Sequence, residues 1–439
     1  MLTRLCIKNF KSLKDTGDLD IRPLTFLVGP NSSGKSSLLQ ILLMLRQTID
    51  STDIDNPLLG NNGWVAMGAY PEFIYKGQQR SNLEVGLEFT EPIHDTKRKK
   101  RLSKRRKLYV KAIFSCNKST NQIELKESEV NIGRDIQRIF RVGKSKKYSA
   151  VLEYFKKGKP KQLLFDNVKP IKFYDFRLIS KHKSIQNLIK THKPPDIFLY
   201  MGHVIETEIR DIFYLGPLRD FPKRIYVTSG QAPQDVGIRG ERSADLLWVS
   251  RHREKEKEWD LQKEVQYWFK RFNFANRIRL QPIGEGNYFK LLILDPAANI
   301  EVNLADIGFG ASQTLPVILE SLYASPDTIL LIEQPEIHLH PTAQSTLADL
   351  FIDAVNRRGH GFIIETHSEH ILSRVRRRIA ENKIEKAKIA IYYFEPSSHG
   401  TKIREIKLTN KGQYENFPKG FFEEDIVEAF EHLKAMKNI

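Results

Sequence analysis

Two cysteines, Cys6 and Cys116, are all that 439 residues provide. They exclude a disulfide framework and a four-ligand zinc site, and read as reduced thiols of a cytosolic protein. No apolar run approaches the ~20 residues of a membrane-spanning helix. The opening Met1-Leu2-Thr3-Arg4-Leu5-Cys6-Ile7-Lys8 lacks the continuous apolar core of a secretory signal. A cytoplasmic location, with no membrane partner, is expected. Acidic residues are in deficit: 70 Lys and Arg stand against 53 Asp and Glu, a formal net charge of +17. Such an excess favours a polyanion, whether nucleic acid, nucleotide or acidic partner, and does not choose among them. Internal repeats are absent. The length suggests two to three structural units at about 100–200 residues each.

What is present is an alternation of strand and helix patterns at both ends of the chain, which argues for a largely parallel α/β sheet. Leu2–Phe10 reads as a strand whose alternation Asn9 breaks, and Leu24–Val28 as a short buried strand. The helix expected from Lys35 to about Ile49 has little polar face, so it should be buried. Further on, 255–271, Pro341–Val355 and Ser368–Ala380 read as helices, the last with a basic end at Arg374, Arg376, Arg377 and Arg378. Thr328–Glu333, Gly361–Glu365 and Lys388–Phe394 read as strands. Residues from about 81 to 200 differ, with strand-like pieces such as Leu83–Phe89 and Leu108–Phe114 joined by lysine-rich connections. One connection, Lys97–Lys107, carries nine Lys or Arg among eleven residues and reads as the long tip of a hairpin. It could neutralise several phosphates, or serve only as a solvated loop. No aromatic residue interleaves it before Tyr109, so base stacking is not indicated.

The strongest motif is Gly29-Pro30-Asn31-Ser32-Ser33-Gly34-Lys35-Ser36, which fits G-x-x-x-x-G-K-[ST] between an apolar strand and a helix. Its glycines let the backbone turn its N–H groups toward phosphate oxygens. The helix N-terminus adds partial positive charge. Lys35 supplies full charge for the β and γ phosphates, and Ser36 a hydroxyl for Mg²⁺. An apolar strand running into Glu333-Gln334-Pro335-Glu336 offers, in Glu333, the acid that holds Mg²⁺ or its water. A further strand delivers His367 to the same expected sheet edge. His338 and His340 flank Leu339 without a wider ligand cluster, and read as a structural turn.

Together these segments resemble the ATP-binding-cassette ATPase superfamily in its SMC, RecF and OLD-like branch. The resemblance is carried by Ile7-Lys8-Asn9-Phe10-Lys11-Ser12, by Val28–Leu38, by Leu331–Pro341 and by Glu365-Thr366-His367-Ser368-Glu369-His370. More narrowly, Tyr214-Leu215-Gly216-Pro217-Leu218-Arg219 and Phe417-Pro418-Lys419-Gly420-Phe421-Phe422 resemble a bacterial subgroup with a C-terminal domain of unknown function. The resemblance implies an α/β, ABC-type head with a mainly parallel P-loop sheet, an antiparallel β subdomain and a basic insertion. Its parts would be 1–90 and 206–395 for the head, 91–205 for the lysine-rich insertion and 396–439 for a C-terminal cap. It implies that ATP and Mg²⁺ are bound through Gly29–Ser36 and Ser37, with Ser36 and Glu333 on the metal and His367 as switch histidine.

The same resemblance implies two heads sandwiching ATP as a homodimer or higher oligomer. The partner-facing signature is then Asp306-Ile307-Gly308-Phe309-Gly310-Ala311-Ser312-Gln313, which departs from L-S-G-G-Q; Gly310 falls at the family's serine and Ser312 offers a replacement hydroxyl. Gln334 stands where transporter-like relatives carry a catalytic glutamate. A glutamine can hydrogen-bond water but cannot take its proton, which implies slow hydrolysis, with Glu336 a possible helper. The 72 residues after His367 contain no D-x-D pair, so a built-in nuclease is not expected. Relatives of this kind are often encoded with a separate effector, commonly a nuclease, in anti-phage systems such as Septu and PARIS. A sensor or scaffold for such an effector is therefore the leading expectation. A RecF- or SMC-like ATPase that binds DNA, or RNA, is the alternative.

Overall fold

Helix α1 (Lys35–Asp50) is buried along nearly its whole circumference, and two sheets account for this. The computed structural model describes residues 1–95, 100–143, 147–156, 159–178, 197–253, 260–284, 287–416 and Met436. Its first sheet is antiparallel and is built from β1 (Leu2–Phe10), β2 (Leu13–Asp15), β3 (Leu19–Asp20) and the long run β5 to β11. These last are Leu83–Asp95, Lys100–Cys116, Ile123–Ile132, Asp135–Arg141, Tyr148–Lys156, Lys159–Ile171 and Asp175–Leu178. The second sheet carries β12 (Ile212–Leu215), β17 (Ile329–Glu333), β18 (Gly361–Glu365), β4 (Leu24–Val28), β19 (Ile389–Glu395) and β20 (Lys402–Glu405), in that order. All its pairings are parallel except the last, β19 with β20. A small third sheet contains β13 (Tyr226–Val227), β14 (Arg277–Ile283), β15 (Tyr288–Leu294) and β16 (Glu301–Asn303).

The strand residues of the second sheet alternate between two cores, as the two-residue period of a strand dictates. Leu27, Leu331 and Ile363 face α1 and the first sheet, together with α2 (Ile197–Arg210). Leu24, Phe26, Val28, Leu330, Ile332, Phe362 and Ile364 face the opposite core. That core is closed by α3 (Ser243–Arg253), α4 (Leu261–Arg271), α5 (Phe309–Tyr323), α6 (Pro341–Arg357) and α7 (Glu369–Ala380). A parallel sheet covered on both faces needs continuous apolar strands, which is why β4, β17 and β18 read so plainly.

The parallel sheet and the antiparallel subdomain expected beside it are both present, and β1 belongs to the latter: it pairs antiparallel with β5, so the middle of the chain extends that sheet. The boundary expected at residues 90/91 accordingly falls inside β5. The basic tip is also shorter than Lys97–Lys107, because the β5–β6 ladder continues to Asp95↔Lys100 and places Lys100–Lys107 in a strand; residues 97–99 lie outside the described residues. Of the helix expected over 255–271, the described part is Leu261–Arg271, capped by the Asp260 side chain, which accepts the Lys263 N–H at 3.0 Å; 254–259 lie outside the described residues, as does the tail Phe417–Phe422. The basic end of α7 is divided: Arg377 is exposed and pairs with Glu381, whereas two of its arginines turn toward the protein. Arg374 and Arg378, with Arg271 from α4, converge on the buried carboxylate of Asp349 at 2.6–3.0 Å.

Candidate functional site

Beyond Val28 the chain turns through Gly29 (φ 140°), Ser32 (φ 59°) and Gly34 (φ 97°) before α1 begins. Glycine is required at the first and last of these for space as well as conformation. A Cβ on Gly29 would lie 2.5 Å from the Phe394 carbonyl oxygen, and one on Gly34 2.4 Å from Ser12 Oγ. The loop crest, Pro30, Asn31 and Ser32, is exposed, whereas Ser33, Lys35 and Ser37 are buried. Lys35 Nζ folds into the loop, donating to the carbonyls of Gly29 (3.1 Å) and Pro30 (2.8 Å). Burial holds its pKa below the ordinary lysine value, against the opposing pull of Glu365, Glu333 and Glu336.

Strand order decides which acid meets the loop. Because β18 lies between β17 and β4, Glu365 sits opposite Glu333 on one side and Leu27 on the other. Ser36 Oγ donates to Glu365 Oε2 at 2.7 Å, and Lys35 Nζ is 3.8 Å from Glu365 Oε1. Glu333, the acid singled out from the sequence, accepts instead from Tyr214 Oη at 2.9 Å. Burial, and then the neighbouring Glu365, push Glu333 up to about 7; burial also raises Glu365 and Glu336. Ser36, Glu333 and Glu365 form an all-oxygen set in which two carboxylates lie close enough for Glu365 to raise the pKa of Glu333. The set fits a hard cation such as Mg²⁺, which binds through one or two carboxylates and leaves room for water and phosphate oxygens.

The turn after β17 gathers the remaining candidates. Gln334 holds a left-handed backbone (φ 44°), and its N–H donates to the Glu365 carbonyl at 2.8 Å. Glu336 is buried, and its Oε1 accepts the His367 N–H at 2.6 Å. The His367 ring opens to solvent, while partial burial and Lys35 keep its pKa below the usual value. Glu333, Gln334, Glu336 and His367 thus cluster at the ends of two adjacent strands. Arg219 lies beneath them, 5% exposed, donating to the Glu333 carbonyl at 3.1 Å; burial lowers it to about 10 in spite of Glu336 beside it.

Gly310 and Ser312 lie apart, in the first turn of α5, against the His338–Leu339 turn. Ser312 is buried and its hydroxyl donates to Phe309 O at 3.0 Å. The hydroxyl expected to face a nucleotide thus donates within its own helix, and the exposed residues of the Asp306–Gln313 segment are Asp306, Gly308 and Phe309. His340 caps α6 through its ring, accepting from Thr342 N, and the His338 ring packs 6.0 Å from Phe309.

Sequence reasoning gave no role to Glu365, Tyr214 and Arg219, which the structure brings into this cluster. Glu365 carried a signal of the same kind as Glu333, an acid closing an apolar strand. Tyr214 and Arg219 sat in a quoted motif without a role.

Residues 1–372 match the AAA ATPase domain family, and residues 384–428 match a family described as a protein of unknown function (DUF3696). No curated protein matches the sequence. Among solved structures, similarity extends to an SMC head bound to the C-winged helix domain of ScpA, with 13% identity over 93% of this chain and 98% of that one and a TM-score of 0.45. It extends also to the SMC head domain from Thermotoga maritima, with 12% identity, coverages of 93% and 99% and a TM-score of 0.41. A third is an SMC head domain with an extended coiled coil, bound to the C-terminal domain of ScpA derived from Pyrococcus furiosus, with 12% identity, 99% coverage of both chains and a TM-score of 0.39.

Proposed function

The chain belongs to the AAA ATPase domain family and is an ATP-binding ATPase, and from that premise we propose that it holds ATP long and hydrolyses it slowly, as a switch for a separate effector. In this reading Gly29–Ser37 hold the triphosphate, with Lys35 on its terminal phosphates. Ser36, Glu333 and Glu365 hold Mg²⁺, which when bound neutralises charge on the phosphate oxygens. His367 and Glu336 line the far side of the same pocket. Two heads close over the nucleotide, the second presenting the turn around Gly308–Gly310.

The observation that carries slow turnover is Gln334. It follows the β17 acid directly and its backbone is fixed by Glu365. From there an amide can orient an attacking water but cannot remove its proton. Long-lived ATP suits a sensor that restrains a partner and releases it on a trigger. The sequence resemblance to defence ATPases supports a nuclease, in bacterial anti-phage defence, as that partner.

Turnover by the purified protein tests this. Wild type should be slow; Gln334→Glu should raise the rate by about 10²-fold, the lower end of what a positioned base contributes, and Lys35→Ala should abolish ATP binding. Brisk wild-type turnover that Gln334→Glu leaves unchanged overturns the holding mechanism. A second reading, a DNA-binding ATPase of repair or maintenance, draws on the +17 charge and the Lys97–Lys107 block. It requires salt-sensitive DNA binding by the chain alone, lost on neutralising that block.

A further inference from the structure

The underside of the phosphate loop is held by two turns remote in sequence. Thr401, between β19 and β20, is 7% exposed, and its hydroxyl donates to the Ser33 carbonyl at 2.7 Å. The same oxygen is 3.0 Å from Ser12 Oγ, in the turn between β1 and β2. One hydroxyl has one proton. With Thr401 donating to Ser33, the Ser12 hydroxyl donates to Thr401, giving a relay from Ser12 through Thr401 to Ser33. The backbone closes the same junction, Thr401 N donating to Ser12 O at 2.9 Å. The Phe394 carbonyl of β19 lies directly under Gly29, where any side chain would collide with it. Lys76 Nζ secures the turn from outside by donating to Ser398 O.

β19, its turn and β20 lie in the segment that matches the family of unknown function. From this junction we infer that the segment is a working part of the ATP site: Thr401, supported by Ser12, is a positioning residue that fixes the phosphate loop, so that nucleotide at the loop and the state of the 396–401 turn are coupled. The inference rests on the reading that Gly29–Ser36 holds the phosphates. Coupling of this kind is reciprocal. ATP settling on the loop steadies the turn, and anything that displaces the turn loosens ATP.

Thr401→Val keeps the shape and removes the hydrogen bonds, whereas Thr401→Ser keeps the hydroxyl. ATP affinity is measured by titration calorimetry for wild type, both variants and Lys35→Ala. Hydrogen exchange across 396–404 is followed with and without ATP. Thr401→Val should bind ATP about five- to tenfold more weakly, the equivalent of one net hydrogen bond, and Thr401→Ser within about twofold of wild type. ATP should slow exchange at 396–404 in wild type and in Thr401→Ser but not in Thr401→Val, a readout that simple destabilisation does not produce. If Lys35→Ala loses ATP while Thr401→Val binds normally and ATP leaves the turn's exchange unchanged, the inference is overturned and the site reading stands. If Lys35→Ala binds ATP as well as wild type, the site reading fails and the inference falls with it. A Thr401→Val protein that does not fold transfers the decision to exchange in wild type and Thr401→Ser, where absence of ATP protection at the turn is again decisive against coupling.

Discussion

Ser36 and Glu365, 329 residues apart in sequence, share a hydrogen bond of 2.7 Å that makes Glu365 the carboxylate closest to the phosphate loop's hydroxyl. Glu333, on the next strand out, is tied to Tyr214 instead. A cation at Ser36 would therefore have Glu365 as its first acidic neighbour. Glu365→Gln should shrink the increment in ATP affinity that Mg²⁺ produces, by about tenfold for one lost charge-assisted contact. Affinity in EDTA should hold or rise, because a negative charge near the triphosphate is gone. A Mg²⁺ titration of fluorescent ATP binding that superimposes on wild type would remove Glu365 from the metal set.

The buried carboxyl of Glu320 on α5 gives a pH signature. Its Oε2 accepts the Val236 N–H at 2.9 Å, and burial raises its pKa from an ordinary 4.5 to about 8. The folded form thus binds a proton that the unfolded chain releases between those values. Its contribution to stability is complete below about 4.5 and is lost as pH rises through about 8. Glu320→Gln keeps the acceptor for Val236 and abolishes the titration. Thermal melts should match wild type near pH 5 and exceed it by about 2–6 °C near pH 8; a constant gap across that range would contradict this account.

Asp349 is a structural anchor. Three arginines from α4 and α7 reach it, so its removal leaves a cluster of like charges about an emptied acceptor. Asp349→Ala should cost about 3 kcal/mol in denaturant unfolding, the lower end for a broken buried pair, since the arginines keep some access to water. A loss below about 0.5 kcal/mol would place the cluster among ordinary surface ion pairs.

The parallel sheet was legible because burial on both faces forces apolar runs: Leu24–Val28, Ile329–Glu333 and Gly361–Glu365 can hardly be anything else. The phosphate loop was legible because its glycines answer local needs. The antiparallel sheet was half legible. Its pieces alternate, but nothing in Leu2–Phe10 announces that its partner is Leu83–Asp95 rather than the strand that follows it. Which acid touches Ser36 depends on strand order, which Glu333 and Glu365, both closing apolar strands, do not reveal by themselves. Thr401 was invisible, since a threonine after Ser397-Ser398-His399-Gly400 looks like any turn residue until the fold brings Ser33 and Ser12 to it. Ser312 shows the converse: the family pattern points at a hydroxyl that the local helix has already taken.

The central position of β4 also sets the order in which the molecule can be made. Both of its neighbours, β18 and β19, are supplied by residues 361–395, more than three hundred positions later. At ribosomal rates of about 5–20 residues per second, β4 waits on the order of tens of seconds with two open edges. Its apolar residues, and those of α1, have no parallel sheet to enter during that interval. The antiparallel sheet can assemble meanwhile, since β1 and β5 through β11 emerge early. The strand ends that bring Glu333 and Glu365 to Ser36 can therefore meet only after residues 361–365 have emerged. In a chain that has not yet reached residue 361, β4 has neither neighbour, which is the condition under which an apolar strand edge can pair with another chain.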